Sequence, residues 1–290
     1  MVKVTAAMVK ELREATGAGP LDIKKALEAT DGDKQAAVDY LREKGIAKAA
    51  KKLGKDRSMN EGTVALWKDA DESPSHVVMV QVNCETDFVG TNEKFVAFSE
   101  ELATHIAHEN PADLETMMGQ TLHGSDVPVE ERLKVAIAEL GEKMEIGGMS
   151  NVKTNGGTIG VYQHFNKRIG AMVELDKPGL DELARNIAMH TSNLKPLYIT
   201  RDDVPADVVE HERTVQKNRA IEEGKPENIA EKMVEGRMGK FYAEICLVEQ
   251  DYLMDDDKTI ADLLKENDTS VREMARFAVG EGADDEGDVE

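Results

Sequence analysis

Apolar positions in the first sixty residues recur at the three- and four-residue spacing of amphipathic helices; beyond them, short β-type runs alternate with longer helical stripes. Thr5 suits an N-cap, Val9 and Leu12 share a helical face, and Gly17 stands where a C-terminal cap belongs. Pro20 suits the first position of a second helix whose stripe is Ile23, Ala26 and Leu27. Asp31-Gly32-Asp33 turns the chain, and Asp33 caps a third helix that buries Ala37, Val38 and Leu41. Gly45 is expected to end that helix, and Ile46 to Lys55 to continue as a basic linker helix. The spacing predicts a helical module over residues 1–57.

An internal repeat organises the remainder. Gly62-Thr63-Val64-Ala65-Leu66-Trp67 matches Gly157-Thr158-Ile159-Gly160-Val161-Tyr162, and each is followed by a second β-type run, Val77 to Val82 or Ala171 to Leu175. Each copy then gives an amphipathic helix, Leu102-Ala103-Thr104-His105-Ile106-Ala107 before Pro111, and Leu183-Ala184-Arg185-Asn186-Ile187-Ala188 before Pro196. Short hairpins are marginal alone, so a helix packed on each small sheet is expected, giving an α+β class with two related core subdomains over 58–150 and 151–280.

From about 205 to 247 the second copy carries an addition rich in helix formers, interrupted by Glu223-Gly224-Lys225-Pro226. Gly followed by Pro punctuates a helical hairpin. Its expected seam is thin: Val208, Val215 and Ile221 on one arm, Ile229, Met233 and Phe241 on the other. Such a seam suits two antiparallel helices projecting into solvent. Residues 281–290 hold six acids and read as a disordered tail.

Composition narrows the function. The 290 residues carry a net charge of -21, which opposes a broad nucleic-acid surface because phosphate binding needs clustered Lys and Arg. The charge is uneven: residues 1–57 carry +4 and the rest -25. No window approaches the 18 or so uncharged apolar residues needed to cross a bilayer. Lys10 and Glu11 interrupt any secretory run at the start, so an unsecreted, cytoplasmic chain is expected, without a membrane partner. The two cysteines, Cys84 and Cys246, have no Cys-x-x-Cys spacing and frame neither a disulfide scaffold nor a zinc finger.

Candidate chemistry is sparse. Gly17-Ala18-Gly19-Pro20-Leu21-Asp22 follows a helix and lacks a Gly-Lys-Ser/Thr, so it reads as an interhelical turn. His105 and His108 lie three apart without further ligands, and Asp255-Asp256-Asp257 reads as a solvated turn; no metal site and no cofactor are expected. There is no Gly-x-Ser-x-Gly elbow and no cysteine beside a local His, which favours a binding protein over an enzyme. The most unusual stretch is Asn83-Cys84-Glu85-Thr86-Asp87-Phe88-Val89, where an aromatic follows an acid just after a β-run. Two readings stand. Phe88 folds into the core while Asp87 caps the helix of Phe95 and Phe98, or Phe88 is an exposed anchor for a partner. Periodicity alone favours the first.

These residues also carry a resemblance. Thr86-Asp87-Phe88-Val89, with Val9-Lys10-Glu11-Leu12-Arg13, Thr16-Gly17-Ala18-Gly19, Asp22-Ile23-Lys24-Lys25-Ala26-Leu27 and Lys48-Ala49-Ala50-Lys51-Lys52, closely resembles translation elongation factor Ts. Tyr162-Gln163-His164, Ile187-Ala188-Met189-His190 and Ile229-Ala230-Glu231-Lys232-Met233-Val234-Glu235-Gly236-Arg237-Met238 extend it in order, from about residue 4 to 280. The resemblance implies a guanine-nucleotide exchange factor that binds elongation factor Tu with GDP and expels the nucleotide. It also implies a ubiquitin-associated-like helical bundle, two related core subdomains and a protruding helical coiled-coil hairpin.

The family's wedge falls on Thr86, Asp87, Phe88 and Val89, which reverses the preference for a buried Phe88. Arg13, Leu21, Lys24, His164, Leu253 and Met254 are implied as further contacts. On residue type alone, Lys24 is a solvated helix charge, His164 a turn residue, and Leu253 and Met254 core. Pro20-Leu21 stands where methionines are common in the family, Ile23 where a cysteine is usual, and Gly90 where a larger residue is common, giving an expected more mobile loop. Monomer and homodimer are both open. The alternative function is a scaffold or ubiquitin-associated-like protein-binding module.

Overall fold

The computed structural model describes residues 4–16, 18–53, 58–69, 73–224 and 226–281. By internal contact the chain forms two units, one of Met1–Trp67, Val78–Asn151 and Phe277–Glu290, the other of Lys68–Val77 and Val152–Arg276. Small antiparallel sheets and helices make it an α+β protein. Among the described residues no helix is long and apolar enough to cross a membrane.

The first unit opens with α1 (Ala6–Thr16), α2 (Pro20–Ala29) and α3 (Lys34–Leu53). Thr5 Oγ1 accepts from the Met8 N–H at 3.3 Å, Pro20 opens α2, and Asp33 Oδ1 accepts from the Ala36 N–H at 2.8 Å. The helix starts therefore follow the cap chemistry in the sequence. Leu12, Ile23, Ala26, Leu27 and Ala37 form the buried centre, with Val9, Val38 and Leu41 packed against it. The expected cap Gly17 and the basic side chains Lys48, Lys51, Lys52 and Lys55 lie outside the described residues.

The same unit continues through β1 (Glu61–Lys68), β2 (His76–Cys84), the single turn α4 (Asp87–Gly90), α5 (Glu93–Glu109), α6 (Leu114–Gly119), α7 (Val129–Leu140) and β3 (Met144–Lys153). The sheet order is β1-β2-β3. The middle strand β2 is buried almost throughout, on both faces, in keeping with its continuous apolar run from Val77 to Val80 rather than strict alternation. Val78, Val80 and Val82 join Phe95, Phe98, Leu102 and Ile106 of α5 and Leu133 and Ile137 of α7 in one core.

Gly45 does not end its helix: α3 runs through it to Leu53. A Cβ at Gly45 would stand 3.0 Å from the Ala138 Cβ of α7, so this glycine marks a close helix–helix contact. The helices α6 and α7 and the strand β3 have no counterpart among the sequence expectations.

The second unit contains β4 (Thr158–Gln163), β5 (Ile169–Leu175), α8 (Asp181–Leu194), α9 (Ala206–Glu222), α10 (Glu227–Ile245), β6 (Asp251–Tyr252), β7 (Asp255–Thr259), α11 (Ile260–Glu266) and β8 (Val271–Ala278). Antiparallel β4 and β5 pair from Thr158 opposite Leu175 to Gln163 opposite Gly170, and β8 lies beyond β5. Val173, Leu175, Ala184, Ile187, Ala188, Leu247 and Ile260 fill the core.

The repeat has a steric signature. A Cβ on Gly62 would lie 2.1 Å from the Val82 carbonyl oxygen, and one on Gly157 would lie 2.3 Å from that of Leu175. Each hairpin thus begins with a glycine that admits its partner strand's carbonyl, followed by a buried threonine, Thr63 or Thr158.

Two further expectations change. The seam between α9 and α10 is lined by buried Ala220, Val234 and Met238, while Val215, Ile221 and Ile229 are exposed and Val208, Met233 and Phe241 only half-buried. Ion pairs from Arg213 to Glu235 and from Arg237 to Glu223 cross between these helices, so charge takes positions that an apolar stripe would have filled. Asp255-Asp256-Asp257 is the exposed start of β7 rather than a turn, because a two-stranded ribbon leaves its side chains in water.

Gly160 of β4 packs directly on α8, and a Cβ there would meet the Ala184 carbonyl carbon at 2.0 Å. Gly160→Ala is expected to lower unfolding free energy by about 2 to 3 kcal/mol, because the obstacle is helix backbone. Urea unfolding of parent and variant measures this, and coincident midpoints would refute the packing argument.

Candidate partner-binding site

The Thr86-Asp87-Phe88-Val89 segment divides into two held residues and two presented ones. Thr86 caps α4, its Oγ1 accepting from the Val89 N–H at 3.4 Å. Its own N–H and hydroxyl donate to the two carboxylate oxygens of Glu142, at 3.0 and 2.7 Å. One position earlier, Glu85 Oε1 accepts from the Lys143 N–H at 2.8 Å. Two carboxylates thus bind the strand exit to the turn after α7, and that turn is set by Gly141 in the left-handed region at φ 80°. Val89 is buried in the β2–α5 core.

Between these anchors Asp87 is exposed and Phe88 is 83% exposed. This corrects the reading in which Phe88 enters the core and Asp87 caps the following helix. Asn92 caps α5 instead, accepting from the Lys94 N–H at 2.9 Å. Gly90 donates its N–H to Thr86 O at 3.0 Å, and a Cβ on it would lie 3.3 Å from the Gly62 nitrogen. Its smallness fits a close approach to β1.

The other predicted residues fall in both units. Arg13 and Leu21 are exposed on the N-terminal helices, and Lys24 is exposed with Glu28 3.8 Å away. These share a unit with Asp87 and Phe88. In the second unit His164 occupies the β4–β5 turn, its Nδ1 2.9 Å from Asn166 Oδ1. Leu253 and Met254 are exposed at the β6–β7 turn, which corrects their assignment to the core.

Sequence reasoning missed Glu142, which holds Thr86 from 56 residues away and leaves no local signal. It also missed Phe165, 91% exposed beside His164, although a large apolar residue in a polar turn between two β-runs was a readable signal.

A third missed feature occurs twice. In the first unit the buried His105 places Nε2 3.0 Å from Gln120 Oε1, and its Nδ1 accepts from the His123 N–H at 3.1 Å. In the second, buried His190 places Nε2 2.9 Å from Gln250 Oε1, and its Nδ1 accepts from the Leu253 N–H at 3.2 Å. An Nδ1 that accepts leaves Nε2–H as the donor, so both rings are neutral in one tautomer. Burial lowers both pKa values below the ordinary 6.5, with the glutamine contact acting the other way. Through His190, the backbone at Leu253 is tied to α8. Burial, and next the nearby Glu249, raise the Cys246 thiol to about 11, so it stays protonated.

An aromatic held in water on a clamped turn, with more exposed apolar side chains on other turns, has the surface anatomy expected of a protein that recognises another macromolecule. The chain belongs to the elongation factor TS family, whose pattern it matches over residues 85–281, more than half its length. Membership places it in translation elongation and implies elongation factor Tu as its partner.

The neutral histidines generate a pH prediction. Their folded pKa values lie below the unfolded value of 6.5, so as pH falls through that value the unfolded chain binds protons that the folded chain refuses. Stability should therefore be flat with respect to these groups above pH 7 and fall on acidification from about 6.5. Urea unfolding between pH 7.5 and 5.5 tests this; a His105→Gln, His190→Gln variant should show a flatter profile, and equal slopes would refute the assignment.

Proposed function

We propose that the chain is a guanine-nucleotide exchange factor for elongation factor Tu, working in the cytoplasm without covalent chemistry, cofactor or metal of its own. It binds the GTPase in its GDP state; Asp87 and Phe88 enter between the GTPase's helices, disturb its magnesium and phosphate site, and GDP leaves so that GTP can bind. One observation carries this reading: Phe88 stands in solvent while Thr86 and Val89, on either side of the Asp87-Phe88 pair, are fixed.

The proposed organisation is a ubiquitin-associated-like bundle over 1–57, core subdomains over 58–150 and 151–280, a protruding coiled-coil hairpin near 205–247, and an acidic tail over 281–290. Arg13, Leu21 and Lys24 contact the GTPase from the first part, and His164, Leu253 and Met254 from the third. Within Thr86-Asp87-Phe88-Val89, Asp87 and Phe88 touch the partner while Thr86 and Val89 hold them in place. Exposure of Leu21, Phe88, Leu253 and Met254 supports these assignments.

Exchange of this kind is a coupling between two binding equilibria. The factor weakens GDP, and by reciprocity GDP weakens the factor, so their joint complex is transient. A thousandfold weakening requires about 4 kcal/mol, whereas burying one Phe ring supplies roughly 2 to 3 kcal/mol. Phe88 alone is insufficient. The remaining contacts must also favour the nucleotide-free GTPase, and Asp87 adds like-charge repulsion toward phosphate or competition for the metal's shell.

Release of a fluorescent GDP analogue from elongation factor Tu tests the proposal. The parent should accelerate release, and Phe88→Ala should slow it at least about tenfold, equivalent to about 1.4 kcal/mol. Asp87→Asn should lose part of the effect in a magnesium-dependent way, and identical rates across a magnesium titration would remove the electrostatic component. No acceleration by the folded parent would remove the exchange reading. Glu142→Ala should lower the maximal rate while leaving the fold intact, since it frees Thr86; an unchanged rate would show that the clamp is dispensable.

A further inference from the structure

Phe165 and Phe88 are the most exposed aromatic side chains among the described residues, and the proposed function uses only Phe88. Phe165 sits at the tip of the β4–β5 hairpin. The turn is closed by the His164 N–H donating to Ile169 O at 2.9 Å and the Lys167 N–H donating to His164 O at 2.8 Å. Asn166 Oδ1 accepts from the Arg168 N–H at 3.0 Å and lies 2.9 Å from His164 Nδ1. Lys167 takes the left-handed conformation, φ 57°, that such a turn requires.

The ring's aromatic neighbour is the His164 imidazole, 4.4 Å away and tilted by 42°. The turn backbone is therefore braced before any partner arrives, so little backbone ordering cost would accompany docking. An aromatic presented in this way has the anatomy of a binding anchor.

The surroundings narrow the kind of partner. His164-Phe165-Asn166-Lys167-Arg168 contains two cationic residues and no acid, in a chain whose net charge is -21. A lone ring on so acidic a chain is poorly suited to an anionic membrane or to nucleic acid, both of which repel it at long range. An apolar pocket on a protein suits the ring, and His164, the residue before it, is already among the proposed contacts with the GTPase.

We infer that Phe165 is a second anchor that docks into an apolar pocket on the same GTPase that Phe88 engages. The inference rests on the exchange reading. The two aromatics have different jobs: Phe88 acts on the nucleotide site, whereas Phe165 holds the partner. The kinetics should separate them.

The test titrates the full chain into elongation factor Tu loaded with the fluorescent GDP analogue and fits the release rate to a half-saturating concentration and a maximum. Phe165→Ala should raise the half-saturating concentration about tenfold to a hundredfold, equivalent to about 1.4 to 2.8 kcal/mol, with a much smaller effect on the maximum. Phe165→Trp should restore it, and the thermal midpoint of both variants should match the parent. A parent that accelerates release beside a Phe165→Ala variant of unchanged half-saturation would overturn the anchor and leave the exchange reading intact. A folded parent without acceleration would overturn both. Phe165-dependent sedimentation with phosphatidylserine vesicles would also overturn the inference, by assigning the ring to a membrane.

Discussion

A phenyl ring left in water forgoes roughly 2 kcal/mol or more of burial, so Phe88 stays out only because the backbone beside it cannot follow it inward. The Glu142 carboxylate takes both Thr86 donors, and Val89 is sunk in the core. The constraint reaches further back. Glu142 is placed by the left-handed Gly141 at the end of α7, and α7 lies against α3 where Gly45 leaves room for Ala138. A continuous line of packing therefore joins the N-terminal helices to the loop that carries Phe88, all within one unit. Such a line gives the two proposed contact regions a common mechanical support without requiring either to move.

Exposed apolar anchors invite self-association, and the charge of the chain counters this. Leu21, Phe88 and Phe165 all face solvent, on a chain carrying -21. A net charge of one sign opposes, at long range, the meeting of such rings on two copies. Only a surface that offers both a pocket and tolerable electrostatics gains from meeting them. Specificity in this arrangement comes from pairing few anchors with a repulsive background, which also limits the value of any single ring taken alone.

Sequence periodicity revealed the parts whose causes are local. The caps at Thr5, Pro20 and Asp33 and the duplicated Gly-Thr openings at Gly62 and Gly157 act on neighbours a few residues away or on a strand paired in the same hairpin. Features with distant causes were hidden. Gly45 looks like a helix stop until Ala138 arrives beside it. Phe88 looks like core until Glu142 pins the preceding residue. The α9–α10 seam was misplaced because its buried line runs through Ala220, Val234 and Met238, while larger apolar residues such as Ile221 and Ile229 face solvent. The Thr86-Asp87-Phe88-Val89 motif was legible through its resemblance, whereas its division into two holding and two presenting residues required the fold.

The duplicated histidine latch shows how one scaffold supports two roles. In both copies a buried imidazole on the repeat helix receives a backbone N–H from the residue three positions after its glutamine, His123 after Gln120 and Leu253 after Gln250. The histidines are not at matched repeat positions. Relative to the aligned Leu102 and Leu183, His190 lies four residues farther along than His105, which is about one helical turn and hence the same face. What each latch holds has diverged. In the first unit it fixes His123, whose ring stacks on His108 at 4.1 Å and pairs with Glu109. In the second it fixes a turn bearing two exposed apolar side chains, Leu253 and Met254. The same hydrogen-bond geometry thus secures a polar stack in one copy and a presented apolar surface in the other. What a turn offers to a partner is decided by its outward side chains, while the buried latch decides only that the turn stays where it is.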